Sequence, residues 1–274
     1  MIRKLKYKQK KRVNRPFNKP EITVFCAVWN KQKNKNELLS SHYQNLLKQN
    51  LDVEILYIFD GADHSPEWLD ASVYCFEDPL TIYEAWAAAV ALCETKYVLN
   101  LNLDDRLAID ALEYLIRFIK LTNSALIGGE WEICFTTSHL NQSFKVSEIN
   151  ETKFYKEWPP KNNVKFRQRL GSGTNERGTF GPSTLWDLEK IGKWYPSNFD
   201  NGEKINSIGD SVFWSLLGML KLKRHRIPML IGKYLSDPNN QAEFRTSSEM
   251  DKFKYTKVTY PLKYNIRDHI FDIS

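Results

Sequence analysis

The adjacent pair Asp104-Asp105 is the sharpest chemical feature of the chain. It follows an apolar run, Tyr97 to Leu101, and two neighbouring carboxylates repel each other unless a cation relieves them. Mg²⁺ or Mn²⁺, held by one or two carboxylates and completed by substrate phosphates, is a common solution. Capping of a following helix is the alternative use for either Asp. Polar groups close other apolar runs as well: Trp29-Asn30 follows Ile22 to Val28, Asp60-Gly61 follows Val53 to Phe59, and Asn102 precedes the acid pair. Ligands of open parallel sheets bind beyond the C-terminal ends of the strands. A ring, an amide and acids at such ends suit a polar ligand with a metal. Asp210 opens a helical apolar run, where a carboxylate complements the helix dipole. Arg167, Arg169, Arg177 and Arg245 suit either a phosphate clamp or a solvated surface, and Trp194 and Tyr195 either stacking on a sugar or packing under a loop. The five histidines show no metal-ligand spacing.

The elements that must carry these groups alternate in type. Strands are predicted at Ile22 to Val28, Val53 to Phe59, Ser72 to Phe76, Tyr97 to Leu101 and from Ala125 onward. Helices are predicted at Glu37 to Lys48, at Ile82, Trp86, Ala89, Val90 and Cys93, and at Leu112, Leu115, Ile116 and Ile119. Strand and helix repeated in this order predict a single α/β domain with a mostly parallel sheet flanked by helices on both faces. Residues 136–181 are polar and irregular, as in a functional or disordered loop. Further helices are predicted near Pro182 to Ile191 and over Ile208 to Leu220.

The formal charge of +6 misleads. Residues 1–20 hold nine Lys and Arg and no acid, so the rest of the 274-residue chain is net negative by three. The first 20 residues read as a basic, disordered arm, and a basic domain face for nucleic acid is not indicated. Cys26, Cys75, Cys93 and Cys134 read as buried free thiols of a reducing compartment. No apolar segment follows the N-terminal charges, and Val212 to Leu220 is too short to span a bilayer. The expectation is a cytoplasmic protein, with peripheral contact at the inner face of a membrane through residues 1–20.

Tyr97 to Leu107, followed by Asp110-Ala111-Leu112, resembles the segment around the DXD motif of glycosyltransferase family 2, which runs roughly L-D-A-D-D-R-L and then P-D-A-L. Tyr83 to Ala89 resembles the family's A-R-N-A-G helix, Ile22 to Asn30 its opening strand V-S-V-I-I-P-V-Y-N, and Ile58 to Ala62 its D-D-G-S turn. Phe180-Gly181-Pro182-Ser183 also matches, and Gly209 to Trp214 resembles E-D-x-x-L-W. These similarities cover residues 22–214 in the family's order. Four positions depart: Asn102 stands for the first Asp of DXD, Phe59 for the first Asp of the turn, Trp86-Ala87 for Arg-Asn, and Gly209 for Glu.

The resemblance implies a GT-A-like, Rossmann-like domain at residues 21–274, with a nucleotide-sugar and metal-binding half at 21–135 and an acceptor-binding half at 136–274. It implies an inverting transferase that uses Mn²⁺ or Mg²⁺ and moves a sugar from a nucleotide-diphosphate sugar to a hydroxyl acceptor on a glycan, lipid-linked or protein-linked saccharide. A UDP-sugar is the favoured donor, with GDP- or dTDP-sugars as the others. By the same resemblance Asp104 ligates the cation and Asp105 assists it. Trp29, Asn30 and Asp60 line the nucleoside pocket, Asn102 lies near the ribose, and Asp210 is the general base. The rival expectations are a catalytically inactive relative that binds nucleotide sugar or glycan, suggested by Phe59, Trp86 and Ala87, and a polyanion-binding protein that uses the basic arm.

Overall fold

The computed structural model describes residues 4–13, 19–61, 63–148, 164–166, 184–199, 202–206, 209–235 and 272–273. Arg167, Arg169, Arg177, Arg245 and the Phe180 to Ser183 match lie outside the described residues.

In chain order the elements are β1 (Lys4–Leu5), β2 (Tyr7–Lys11), β3 (Ile22–Val28), α1 (Lys35–Leu47), β4 (Glu54–Phe59), β5 (Ser72–Phe76) and α2 (Ile82–Leu92). There follow β6 (Tyr97–Asn100), β7 (Asp105–Leu107), α3 (Ala111–Thr122), β8 (Leu126–Cys134), α4 (Thr137–Leu140), β9 (Ser147–Glu148) and β10 (Val164–Phe166). The last are β11 (Thr184–Asp187), α5 (Leu188–Ile191), α6 (Gly209–Met219), β12 (Arg224–Leu235) and β13 (Asp272–Ile273). The main sheet runs β2-β5-β4-β3-β6-β11-β8-β12-β7, with β10 on β8 and β9 on β12.

The run β5-β4-β3-β6 is parallel throughout. Period-two alternation along these strands feeds two cores, one on each face. Val24, Cys26, Tyr57, Phe59, Val73, Cys75 and Leu99 join α1 and α3 on one face. Phe25, Leu56, Ile58, Tyr74 and Val98 join α2 and α6 on the other. Helix α2 is started by a capping box between Thr81 and Glu84, and its alanines, Ala87 to Ala89, are fully buried. Small side chains there let the helix lie close on β3 and β4.

Two expectations need correction. The segment Pro182 to Ile191 is not one helix: Thr184–Asp187 is a strand and only Leu188–Ile191 is helical. β11 inserts antiparallel between β6 and β8, pairing Leu185 with both Leu99 and Ile127. Ladder bonds on both sides outweigh local helical periodicity, and beyond β6 the sheet becomes mixed. Residues 1–20 are likewise not wholly an arm. β2 pairs antiparallel with β5, and Tyr7 meets Tyr74 edge to face at 5.4 Å. Lys11 donates to the Leu69 carbonyl, and Arg12 pairs with Glu94 and Glu54. Charge density pointed to disorder, whereas acids and a free strand edge elsewhere in the fold neutralise and dock the segment.

All four cysteines are buried free thiols. No helix among the described residues is long and apolar enough to cross a membrane.

Candidate active site

Strands β4, β3 and β6 are neighbours and point the same way, so their C-terminal ends share one edge of the sheet. At the end of β3, Trp29 is 56% exposed. Its neighbour Asn30 donates its backbone N–H to Asp60 Oδ1 at 3.4 Å, across to the end of β4. Asp60 Oδ2 accepts from the backbone N–H of Leu80 at 3.2 Å. Burial pushes the Asp60 carboxyl up, against the pull of these two N–H groups. Asp60 thereby ties the tip of β3 to the segment that opens α2. Gly61 follows at φ +62, with the Asn30 amide packed 3.3 Å from where its Cβ would be, so this turn suits glycine.

Beyond β6 the chain turns sharply. The Asp105 N–H donates to the Asn102 carbonyl at 3.0 Å, and the Asn102 N–H donates to Asp105 Oδ2 at 3.3 Å. Asn100 Nδ2 donates to Asn102 Oδ1 at 3.2 Å. The turn separates the two adjacent acids. Asp105 is fully buried in β7, opposite Tyr234 of β12, while Asp104 is partly exposed at the sheet edge. Asp105 shapes the turn, and Asp104 is the more exposed of the two acids.

Arg106 was not foreseen as part of this site. It is 2% exposed and donates to the carbonyls of Leu103 and Asp105 at 2.9 and 2.6 Å and to Asn141 Oδ1 at 3.0 Å. It also reaches Ser41 Oγ on α1. Burial brings its guanidinium down to about 10, opposed by the charges of Asp105 and Asp104. Some of the repulsion within the acid pair is thus relieved from inside the fold. The signal was present in the sequence as an Arg directly after the pair.

A cation fits the donor set in one way. Among the described residues no three His, Cys, Asp or Glu side chains converge as a cage. Asp104 is a partly exposed carboxylate, with the partly exposed Asn102 two residues away. Such a set suits an ion whose remaining ligands are diphosphate oxygens and water.

Asp210 lies apart from these residues in sequence and element, as the second residue of α6. Its neighbour Gly209 packs on the ring of Tyr83 in the first turn of α2. This places the start of α6 beside the start of α2, whose leading segment Asp60 ties to β3. The structure therefore joins Asn30 with Asp60, and Asn102 with Asp105, while the start of α6 that carries Asp210 is linked to the Asp60 side through the start of α2.

The departures from the motif patterns are also explained. Phe59 is fully buried in the α1 and α3 core, and Ala87 is fully buried on α2 in the core of the other face. Trp86 packs edge to face on Tyr83 at 5.4 Å and Tyr195 at 5.3 Å. These positions build the core of this protein. Trp194 and Tyr195 are buried in the same aromatic cluster, so packing is their use.

An α/β sheet with polar groups at the ends of its parallel strands defines a nucleotide-type ligand-binding fold. The model of glycosyl transferase family 2 matches residues 24–176, and the chain belongs to this family of glycosyltransferases. Asp210 lies beyond the matched segment. No curated protein matches the chain. Among solved structures it is similar to TarS of S. aureus, with 14% identity and a TM-score of 0.53, over 80% of this chain and 37% of that one. It is similar to TarS 1-349 in complex with UDP at 15% identity and a TM-score of 0.54, over 80% of this chain and 61% of that one. For TarS 1-349 in complex with UDP-GlcNAc the values are 13% and 0.53, over 79% and 59%. The chain thus spans from about a third to three fifths of the length of these structures, and the likeness establishes a GT-A-like fold.

Proposed function

We propose that the protein transfers a sugar, with inversion, from a nucleotide-diphosphate sugar to a hydroxyl acceptor, using Mn²⁺ or Mg²⁺. The observation that carries this reading is the partly exposed Asp104 in the turn that follows β6, a turn whose other acid, Asp105, is buried. The UDP and UDP-GlcNAc complexes of TarS, similar in fold, favour a UDP-sugar among the donors.

Trp29 and Asn30 line the nucleoside side of the pocket, with Asn102 near the ribose, and Asp60 holds the rim through its backbone bonds. Asp104 holds the cation with the diphosphate, and Asp105 keeps the turn in shape. A divalent cation, when bound, neutralises charge developing on the leaving diphosphate. Asp210 accepts the proton of the acceptor hydroxyl as its oxygen bonds to the anomeric carbon. The bond from that carbon to the diphosphate oxygen breaks on the opposite face, and the nucleoside diphosphate leaves. Residues 21–135 supply the donor side and residues 136–274 the acceptor side. The exposed Lys8 and Lys10 of β2, with Lys6 just before it, support peripheral contact with an anionic membrane surface.

A melting-temperature screen of UDP, GDP and dTDP with and without Mn²⁺ tests the donor reading, since ligand binding to the folded state raises apparent stability. A rise with one nucleotide that grows with Mn²⁺ is expected. No shift with any of them in either condition would overturn it.

A further inference from the structure

Helix α1 grips the loop that carries Asp104 along one polar face. Ser41 accepts from Arg106 and Asn45 exchanges two hydrogen bonds of 2.9 Å with the backbone of Leu107, while Gln49, just past the end of the helix, donates to the Ala108 carbonyl at 2.9 Å. The remaining member of this face is His42, which is fully buried. Its Nε2 lies 3.2 Å from the carbonyl oxygen of Leu101, and its Nδ1 lies 2.8 Å from the Tyr57 hydroxyl.

The partners decide the tautomer. A carbonyl oxygen only accepts, so Nε2 carries the hydrogen. In a neutral ring Nδ1 is then an acceptor, and the Tyr57 hydroxyl donates to it. Burial, aided by the Arg106 charge, brings His42 down to about 3, and burial pushes the Tyr57 phenol well up. Each group therefore has one protonation state at neutral pH, and the chain Tyr57 to His42 to Leu101 runs in one direction. Leu101 immediately precedes Asn102, and its own N–H donates to the Phe25 carbonyl at 3.0 Å. The peptide entering the acid turn is thus pinned from β3 and from α1.

An apolar side chain of similar volume would fill this space without the cost of burying two polar groups. We propose that His42, oriented by Tyr57, is a positioning residue that sets where the Asn102 to Asp105 turn presents Asp104 to the donor's cation. The proposal rests on the reading of Asp104 as the metal-binding carboxylate. Ligand geometry of this kind tolerates displacements of only about 0.5 Å.

The test is the Mn²⁺ concentration that half-saturates the enhancement of UDP binding, measured by calorimetry on the full chain. His42→Leu should raise it on the order of tenfold or more, the usual loss when a group orienting a ligand is removed. His42→Gln keeps a donor and an acceptor and should recover most of that loss. Leu39→Ala, a core change on the same helix, should lower the melting temperature and leave the half-saturation unchanged. If His42→Leu does not fold, Tyr57→Phe carries the test, with an expected rise of several-fold. Half-saturation within about twofold of wild type for His42→Leu, or for Tyr57→Phe in its place, would overturn the proposal. So would a Gln variant as poor as Leu. Asp104→Ala separates the two levels: if it retains the Mn²⁺ enhancement, the metal reading itself fails.

Discussion

Gly209, the first residue of α6, lies against the ring of Tyr83, so that a Cβ built on it would come within 2.6 Å of Cδ1 and Cγ. The family's E-D pattern carries Glu at this place, and the Tyr83 ring fills the space such a side chain would enter. The departure at Gly209 and the Tyr83 ring of α2 form one packing arrangement. It brings the residue before Asp210 onto the first turn of α2.

Gly209→Ala should therefore strain the contact and push α6 away. Overpacking of this kind costs about 1–3 kcal/mol, offset in part by the better helix propensity of Ala, worth up to about 1 kcal/mol. Chemical denaturation reads the stability, and the rate should fall alongside. Combining the change with Tyr83→Leu should return part of both losses, and strict additivity would show that the two residues do not compete for space.

Asp210→Asn retains size and helix-capping capacity. If the carboxylate takes the acceptor proton, turnover should fall roughly 10²–10⁴-fold with little change in melting temperature or UDP affinity. Steady-state kinetics within a few-fold of wild type would move the base elsewhere, with Asp187 and Glu203 next to test.

Asp104→Ala should abolish the Mn²⁺-dependent gain in nucleotide affinity and leave the fold intact, because this side chain is partly exposed. Asp105→Ala should behave differently: it removes the acceptor of the Asn102 N–H from a buried site and should cost about 1–3 kcal/mol of stability. Melting curves of the two variants would compare the partly exposed and the buried acid directly. Equal losses of stability would contradict the division.

Deletion of residues 1–12 removes the strand on β5, uncovers Tyr74 and breaks the Arg12 pairs. The loss of the Tyr7 to Tyr74 contact alone is worth about 1 kcal/mol. A lower melting temperature is expected, and an unchanged one would mean that the segment is dispensable to the sheet.

His42 makes the fold sensitive to acid. Its folded value is about 3 against an ordinary 6.5, so the unfolded chain takes the proton first as pH falls. Stability should then decline between about pH 6.5 and 3, by roughly 1.4 kcal/mol per pH unit from this residue, and be unaffected by it above that window. Urea unfolding at pH 7 and pH 5 should show the stability of wild type relative to His42→Leu falling at the lower pH. A difference independent of pH would show that the ring is not held neutral.

Order along the chain was enough to determine much of this protein. Apolar runs ending in Trp29-Asn30, Asp60-Gly61 and Asn102 to Asp105 located parallel strands and the polar groups at their C-terminal ends, because period and polarity are local properties. The motif similarity reached the family for the same reason. Tertiary structure decided what local pattern does not encode. Asp104 and Asp105 are adjacent in sequence, and only the β7 pairing with β12 leaves one partly exposed and takes the other into the core. Thr184–Asp187 became a strand because two neighbours offered it ladder bonds, and the basic segment found an edge and acids far along the chain. Phe59, Trp86 and Ala87 suggested an inactive relative by type, and the folded chain buries all three in its packed cores. His42 had no sequence partner at all. Its role comes from Tyr57 and Leu101, 15 and 59 residues away, which only the folded chain brings within hydrogen-bond reach.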